Sequence, residues 1–242
     1  MTAPRGRCTT LSHCEVRIPK IIHQTWKNRC IPEEFQSFTC SWKNHHPSWE
    51  YRLWTDADNR DFISTNYDWF LPFYDNYQFN IQRADAVRYF ILHAYGGMYV
   101  DLDFECLKPI EPLLRDHECV LGLEPERHCQ YHGVEQIISN AFMASVPSHP
   151  FFYAIMKGMA FHIPAAKHRN DLVLETTGPL MLNRVFGGFP EPETVTLVPP
   201  EFLFPLDYEE ARKFIGSRDP QLEPKLRHAY GIHYHWGSWW DP

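Results

Sequence analysis

The chain has 242 residues, 44% of them hydrophobic, which is enough for one large domain with a substantial core. Its formal net charge of -7 argues against a nucleic-acid-binding protein, because such proteins usually present a basic surface. This overall charge is compatible with phosphate binding, which needs only a local basic pocket.

The chain contains seven cysteines, an odd number, without a C-x-x-C pair or the spacing of a zinc site. Reduced thiols in a cytosolic chain are the simplest interpretation, and a disulfide-bonded luminal protein with one unpaired thiol is the alternative. Residues 1–17 have no apolar core, so we expect a flexible N-terminal lead and not a signal peptide. No run approaches the ~20 apolar residues of a membrane helix. We therefore predict a location in the cytoplasm or at the periphery of a membrane.

The remaining residues, 18–242, begin with a strand–helix–strand–helix pattern. Apolar residues that lead into polar ones predict a first strand at 18–26. A proline followed by two acidic residues predicts a helix over 32–46. Alternating apolar and polar residues predict a second strand at 49–54, and another helix follows it. We expect these strands to form a parallel sheet with right-handed crossovers.

Residues 66–79 are dense in aromatic side chains. Such a segment suits core packing beneath the helix that follows it, and a platform for a sugar ring is the alternative.

The stretch 80–103 is the centre of the chain. Apolar residues at helical spacing predict a helix that ends at Gly96-Gly97. A short β-prone strand follows and ends at Asp101 and Asp103, whose carboxylates would lie on one side of an extended backbone. Two neighbouring anions repel each other unless a cation lies between them. Their oxygens are ligands that suit Mg²⁺ or Mn²⁺.

Asp85 and Arg88 lie three positions apart in the predicted helix and are therefore neighbours on one helical face. By itself this pair is typical of a surface ion pair that contributes little stability. By itself a D-x-D pair is typical of a solvated loop. The combination is more specific, because the charged pair lies on a mostly apolar helix that leads into an apolar strand ending at two acids. We therefore favour a metal-dependent site.

The stretch resembles the glycosyltransferases of family 32, whose sugar-binding region contains a DXD motif. The residues that carry the resemblance are Arg83-Ala84-Asp85, Arg88-Tyr89, Tyr95-Gly96-Gly97 and Tyr99-Val100-Asp101-Leu102-Asp103. Within the family the chain is most similar to inositolphosphoceramide mannosyltransferases and their short microbial relatives, and glucosylating bacterial toxins share the same core. The resemblance implies an α/β, GT-A-like nucleotide-sugar-binding fold with a mainly parallel central sheet flanked by helices. It implies one such domain over 18–242.

The resemblance also implies catalytic roles for four residues of the central stretch. Asp103 would hold a divalent ion, Mn²⁺ or Mg²⁺, and Asp101 would share that ion through water or hold the ribose. Arg88 would bridge a phosphate and the donor sugar. Asp85 would accept hydrogen bonds from sugar hydroxyls.

Further residues are implied to contact the nucleotide sugar. They are His23, Gln24, Thr25, Trp54, Tyr99, Asn140, Thr177, Gly178, Trp239 and Trp240. The first three lie at the carboxyl end of the first strand, where ligands bind in nucleotide-binding α/β folds. Ordinary strand-end polar groups are the alternative interpretation. The Thr-Gly-Pro sequence at 177–179 would expose backbone N–H groups, although it also suits a simple helix start.

The C-terminal segment 228–240 is unusually aromatic for a chain end. The resemblance implies that it folds back over the nucleotide. His235 or Ser238 would then complete the metal shell of Asp101 and Asp103. Trp239 or Trp240 would cover the diphosphate. Closure of the sheet edge by these aromatic rings is the alternative.

Four more elements are predicted between these segments, at 118–124, 139–145, 151–159 and 180–186. Residues 125–136 contain two histidines, a cysteine and a glutamate, but their spacing matches no common zinc template, so we predict a solvated loop. Residues 187–226 are rich in proline, glycine and charge, which predicts a long surface connection with one strand at 194–198.

The implied activity is retaining, metal-dependent transfer of a hexose from a nucleotide sugar to a lipid or glycan acceptor, with peripheral contact to a membrane. GDP-mannose is the first donor expected, and UDP-galactose, UDP-glucose and UDP-N-acetylglucosamine are the alternatives. The leaving phosphate would take the acceptor proton, so we name no protein general base. A glycosidase would need carboxylates that flank the bond. A non-catalytic carbohydrate-binding protein would explain the aromatic residues but not the acidic pair.

Overall fold

The computed structural model describes residues 16–161 and 168–237. The strands in these ranges are β1 (Ile21–Thr25), β2 (Glu50–Trp54), β3 (Gly97–Val100), β4 (Phe104–Cys106), β5 (Cys119–Leu123), β6 (Ile138–Ser145), β7 (Thr196–Val198) and β8 (Gly231–His233). The α-helices are α1 (Glu33–His45), α2 (Asp56–Asn66), α3 (Leu71–Asn76), α4 (Asn80–Tyr95), α5 (Glu111–Leu114), α6 (Glu126–His132), α7 (Pro150–Phe161), α8 (Arg169–Thr176), α9 (Pro179–Gly187), α10 (Pro200–Leu203) and α11 (Tyr208–Ser217).

The main sheet has six strands in the order β2-β1-β3-β6-β5-β7. Within it β1 runs parallel to β2 and β3, and β5 runs parallel to β7, whereas β6 is antiparallel to both of its neighbours. The predicted α/β fold with a mainly parallel sheet is therefore confirmed. A second sheet pairs β4 with β8 in antiparallel fashion and brings the C-terminal segment next to the central stretch.

Strand β3 lies in the middle of the core and its side chains alternate between the two faces of the main sheet. Tyr99 belongs to the hydrophobic cluster formed with α4 and α7, whereas Met98 and Val100 belong to the cluster that contains Trp42 and Phe142. Because all four residues of β3 are buried, its position is set from both sides. The residues that follow β3 are therefore held at a defined place on the sheet edge.

The two glycines between α4 and β3 allow this close packing. Gly96 has φ 61° and Gly97 has φ 87°, a region that favours glycine. A Cβ atom on Gly97 would lie 2.7 Å from the carbonyl oxygen of Ile21 on β1. The glycine turn thus lets β3 enter the sheet directly beside β1.

Two predicted irregular segments are wrong because each contains a helix. Residues 125–136 include α6, with His128 buried, where we predicted a solvated loop. Residues 187–226 include α10 and α11, where we predicted a surface connection. The overlooked signal for α11 is a capping box, in which the Asp207 carboxylate accepts from the backbone N–H of Glu210 and the Glu210 carboxylate accepts from the backbone N–H of Asp207.

The aromatic segment 66–79 packs as predicted for a core element, since Phe70 and Tyr74 are buried in the cluster around α4. At the N-terminal boundary, Arg17 forms an ion pair with Glu118. Most of the predicted flexible lead, 1–15, lies outside the described residues. None of the helices in the described ranges is long and apolar enough to cross a bilayer.

Candidate active site

A cleft of about 610 Å³ opens beside the carboxyl ends of β1 and β3. Among its lining residues are seven that the sequence singled out: Thr25, Asp85, Arg88, Asp101, Asp103, Asn140 and His235. Ligands of open α/β sheets bind outside the carboxyl ends of the strands. The cleft is therefore in the position expected for a nucleotide-sugar site.

Asp85 and Arg88 form a buried ion pair on α4, with 2.8 Å between Asp85 Oδ1 and Arg88 Nη2. Only 7% of the Asp85 side chain and 4% of the Arg88 side chain are exposed, so this is not a surface pair. Asn140 donates to Asp85 Oδ1 at 3.2 Å and Thr177 donates to Oδ2 at 3.4 Å. Burial outweighs these favourable contacts and raises the pKa of Asp85 to about 7.

Arg88 connects this pair to the DXD motif. Its Nη1 donates to the carbonyl oxygen of Asn140 at 2.8 Å and lies 3.3 Å from Asp101 Oδ1. Its guanidinium also lies over the ring of Tyr99, 4.5 Å from the centroid. Burial opposes the charge of Arg88, but Asp101, Tyr99 and Asp85 outweigh it and raise the pKa of the guanidinium. Arg88 is therefore a permanent cation whose position holds two carboxylates.

The DXD residues lie in a tight turn and not on the strand. Strand β3 ends at Val100, and the N–H of Asp101 donates to the carbonyl oxygen of Ala141. The N–H of Phe104 then donates to the carbonyl oxygen of Asp101, which closes the turn. The expectation that an extended backbone aligns the two carboxylates is thus wrong in its geometry. The turn nevertheless brings Asp101 and Asp103 together at the cleft.

Asp103 is held by the C-terminal segment. Its Oδ1 lies 3.1 Å from His233 Nε2, its Oδ2 accepts from the backbone N–H of Trp236 at 2.8 Å, and its carbonyl oxygen accepts from that of Tyr234. Burial would raise the pKa of Asp103, but the His233 charge and these hydrogen bonds lower it below its ordinary value. Burial would lower the pKa of His233, but Asp103 raises it. The two side chains therefore form an ion pair.

Asp101, Asp103 and His233 each offer one ligand atom, and the three atoms lie within 4.8 Å of one another. Two carboxylate oxygens and an imidazole nitrogen suit a divalent transition ion such as Mn²⁺. The two carboxylates are otherwise compensated by Arg88 and by His233. These residues fit the divalent ion that the DXD motif implies, provided that His233 gives up its proton when it binds the ion.

Residues 32–120 match a family model described as the glycosyltransferase sugar-binding region containing DXD motif. The chain belongs to this glycosyltransferase family. Inositol phosphoceramide mannosyltransferase 3 of Schizosaccharomyces pombe is 37% identical over 235 residues, which cover 95% of this chain and 58% of that protein. Inositol phosphoceramide mannosyltransferase 2 of the same yeast is 41% identical over 166 residues, covering 69% of this chain and 45% of that protein. The chain thus spans about half the length of these curated relatives.

Among solved structures, the PaToxG glycosyltransferase superposes with a TM-score of 0.54 at 14% identity, covering 87% of this chain and 77% of that one. This likeness concerns the fold, which is that of the GT-A glycosyltransferases, as predicted.

The chain places only some of the expected donor contacts in the cleft. Thr25 and Asn140 line it, while Tyr99 lies behind it and donates its hydroxyl hydrogen to Asp101 Oδ1 at 2.8 Å. Asn140 also binds Asp85, which suits the expected position of the donor sugar.

His23, Gln24 and Trp54 lie behind the cleft and are absent from its described lining. Trp54 Nε1 donates to His23 Nδ1 at 3.1 Å, so His23 Nε2 carries the proton that bonds to the Gly96 carbonyl oxygen at 3.1 Å. Gln24 donates to the carbonyl oxygen of Asp101 at 3.3 Å. In this structure the three side chains support the site from within the core.

Thr177 and Gly178 lie at the junction of α8 and α9, next to the cleft. Thr177 supports Asp85 through its hydroxyl, as described above. The N–H of Gly178 donates to the carbonyl oxygen of Val173 at 3.0 Å and is therefore already used. The N–H of Gly178 is consequently not available for the anion site that we expected at this turn.

The C-terminal segment contributes His233, a residue that the sequence did not single out. His235 has its ring centroid 4.0 Å from that of His233, and its Nε2 is buried without a hydrogen-bond partner among the described residues. The cluster of three ligand atoms formed with Asp101 and Asp103 contains His233 and not His235. His235 as a ligand stays a prediction, as do Ser238, Trp239 and Trp240, which lie outside the described residues. The alternating histidines at 233 and 235 were the available signal, but only the pairing of β8 with β4 selects between them.

Proposed function

We propose that the chain is a retaining, metal-dependent hexosyltransferase that transfers a sugar from a nucleotide donor to a lipid or glycan acceptor. The observation that carries this proposal is the cluster of Asp101, Asp103 and His233 beside the buried Asp85–Arg88 pair. GDP-mannose and a sphingolipid acceptor are the first substrates to test, because the two yeast relatives are named inositol phosphoceramide mannosyltransferases.

Asp101, Asp103 and His233 would hold a divalent ion at the mouth of the cleft. When bound, such an ion neutralises the charge that develops on a diphosphate leaving group. Asp103 is fixed for this role by two backbone N–H contacts from the C-terminal segment, one to its carboxylate and one to its carbonyl oxygen. Arg88 fixes Asp101 from the other side.

Asp85 has the best position to orient the donor sugar. It lines the cleft, and Arg88, Asn140 and Thr177 hold both of its oxygens in place while leaving lone pairs for sugar hydroxyls. Preorganised polar groups of this kind stabilise a transition state without moving during the reaction. We assign no protein general base, since in a retaining transfer the leaving phosphate takes the acceptor proton.

The arrangement favours a transferase over a glycosidase. One ligand atom from each of the two DXD carboxylates and from an imidazole lies within 4.8 Å of the others, a geometry that suits one shared ion. Glycosidase carboxylates instead flank the scissile bond.

The test is a donor hydrolysis screen with GDP-mannose, UDP-galactose, UDP-glucose and UDP-N-acetylglucosamine, each with Mn²⁺ or with EDTA. We expect release of nucleoside diphosphate from one donor, with Mn²⁺ only. Asp103→Asn should lose this release. Asp61→Asn, which changes an exposed carboxylate on α2, is its matched control and should retain full activity. Release that survives EDTA, or no release from any donor, would overturn the proposal.

A further inference from the structure

Asp101 is held from behind by two side chains that the cleft does not expose. Gln24 donates to its carbonyl oxygen at 3.3 Å, and the hydroxyl of Tyr99 donates to its Oδ1 at 2.8 Å. Tyr99 is 1% exposed and is not part of the described cleft lining. Its hydroxyl therefore acts on Asp101 and not on a ligand.

The direction of the next hydrogen bond follows from counting protons. Thr25 Oγ1 lies 2.9 Å from the hydroxyl oxygen of Tyr99. A tyrosine hydroxyl has one proton, and Tyr99 gives that proton to Asp101. Thr25 must therefore donate to Tyr99, and the chain of hydrogen bonds runs from Thr25 through Tyr99 to Asp101.

This direction defines what Thr25 offers to the cleft. Because its single hydroxyl proton is directed at Tyr99, the oxygen of Thr25 presents only lone pairs to the cleft that it lines. A group bound next to it has to supply an O–H or N–H, as a ribose hydroxyl or a base edge would do. A hydrogen bond received by Thr25 would also strengthen the bonds that follow it, since such chains polarise one another.

We infer that Tyr99 is a positioning residue that, together with Thr25, fixes the orientation of Asp101 for a divalent ion and links the ion to the nucleotide side of the cleft. Tyr99 donates to Asp101 Oδ1 at 2.8 Å, whereas Arg88 Nη1 lies 3.3 Å from Oδ1 and donates to Oδ2 at 3.4 Å. Oδ2 therefore has a single long contact and is the less occupied oxygen, the one available to the ion. This inference rests on the proposed function, because it requires that Asp101 bind a divalent ion.

The test measures Mn²⁺ binding directly by electron paramagnetic resonance, without any turnover. Tyr99→Phe removes the hydroxyl and keeps the ring that packs in the core and lies under Arg88. We expect Mn²⁺ affinity to fall about tenfold, the usual effect of losing a partner that orients a metal ligand. Tyr67→Phe is the matched control, since its hydroxyl makes a 2.8 Å bond to His93 elsewhere on α4, and it should bind Mn²⁺ like the wild type.

Variants of Thr25 give a second measurement that does not disturb the core. Thr25→Ser keeps a hydroxyl and should match the wild type in Mn²⁺ affinity. Thr25→Val removes it and should weaken Mn²⁺ binding by less than Tyr99→Phe does. Near-UV circular dichroism of each variant verifies that the fold is retained.

The outcomes separate this inference from the proposed function. If the wild type binds Mn²⁺ and Tyr99→Phe binds it equally well, the positioning role is wrong while the metal site stands. If Thr25→Val lost more Mn²⁺ affinity than Tyr99→Phe, the proposed order of the hydrogen bonds, from Thr25 through Tyr99 to Asp101, would also be wrong. If the wild type binds no Mn²⁺, the proposed function fails and this inference fails with it.

Discussion

The cleft has two walls that the chain builds in different ways. The first wall contains Asp85, Arg88 and Asp101, which are at most 16 positions apart in one helix–turn–strand unit. The second wall contains Asp103, His233 and Trp236, whose contacts join residues 130 and 133 positions apart. The first half of the site is therefore built from residues that are close in sequence. The second half forms only when the C-terminal segment packs against Asp103.

The two walls also differ in how they are supported. The first wall is attached to β3, which is fully buried between two hydrophobic clusters. The second wall is attached to β8, a three-residue strand that pairs with the equally short β4. Few, long-range contacts make a region open more readily than the core does. We therefore expect the second wall to be the less stable one, and the following experiments are ways to break or sharpen this contrast.

The largest effect should come from Asp103→Asn, which removes a charge from the second wall. The asparagine keeps an acceptor for the N–H of Trp236, so the fold should be retained. We expect kcat/KM for transfer to fall at least about 1,000-fold, or roughly 4 kcal/mol, because metal binding and transition-state neutralisation are lost together. Donor turnover is measured alongside thermal unfolding. A folded variant with wild-type turnover and unchanged Mn²⁺ dependence would contradict the role of Asp103.

Replacing one glycine in each wall by alanine should show which wall contributes more to the free energy of unfolding. Gly97→Ala forces a Cβ to within 2.7 Å of the Ile21 carbonyl oxygen at φ 87°, and we expect a loss of about 3 kcal/mol or more in unfolding free energy. Gly231→Ala places a Cβ 2.8 Å from the Glu105 carbonyl oxygen in the short β4–β8 pair, with an expected loss of about 2 kcal/mol. Urea unfolding measures both losses.

The matched control for these glycines is Gly216→Ala. It lies exposed on α11 with nothing within 4 Å of its added Cβ, so it should be neutral or slightly stabilising. If Gly231→Ala cost more stability than Gly97→Ala, the proposed ranking of the two walls would be wrong.

The next effect is the pH dependence of the free energy of unfolding that is due to His23, which supports the first wall from behind. Burial lowers the pKa of His23 to about 4, whereas an unfolded histidine titrates at about 6.5. Between these values the unfolded chain binds more protons than the folded one, so the free energy of unfolding falls as pH drops from 7 to 4.5. For His23 this loss should be about 2 kcal/mol.

The measurement is urea unfolding at pH 7 and pH 4.5 for the wild type and for His23→Gln, each referred to its own value at pH 7. On acidification His23→Gln should lose about 2 kcal/mol less unfolding free energy than the wild type. An identical pH dependence in the two proteins would show that His23 does not stay neutral in the folded chain.

The smallest effect should come from His233→Gln in the second wall. Glutamine can still donate to Asp103, but the substitution removes the imidazole nitrogen that would bind the ion. We expect Mn²⁺ affinity to fall about tenfold, or about 1.4 kcal/mol, with turnover largely restored at high Mn²⁺. Calorimetric titration with Mn²⁺ provides the measurement. An affinity equal to that of the wild type would remove His233 from the ligand set.

Much of the first wall could be predicted because its determinants are adjacent in sequence. The spacing of Asp85 and Arg88, the glycine turn and the acidic pair all act within 80–103. What the pattern missed there is burial, which turns a pair typical of a surface into one held at 4% and 7% exposure. Burial depends on α7, α8 and β6, which pack against α4 and are distant from it in sequence.

The second wall could be predicted only in outline. An aromatic, histidine-rich segment near residue 230 indicates that the chain packs back onto the domain. Which histidine reaches Asp103 depends on the register of β8 against β4, where His233 lies opposite Phe104. A shift of one residue would turn every side chain of β8 to the other face. No local pattern specifies that register.

By itself the sequence determined the fold class, the order of the main strands and helices up to β5, and the acidic pair at the cleft. These follow from periodicity and turn residues, which act over a few positions. The tertiary structure alone decided that His23 and Gln24 support the site from behind, that Tyr99 directs its proton to Asp101, and that His233 joins the two aspartates. Each of these depends on which groups meet after folding, because hydrogen bonds and burial are set by distance in space and not by distance along the chain.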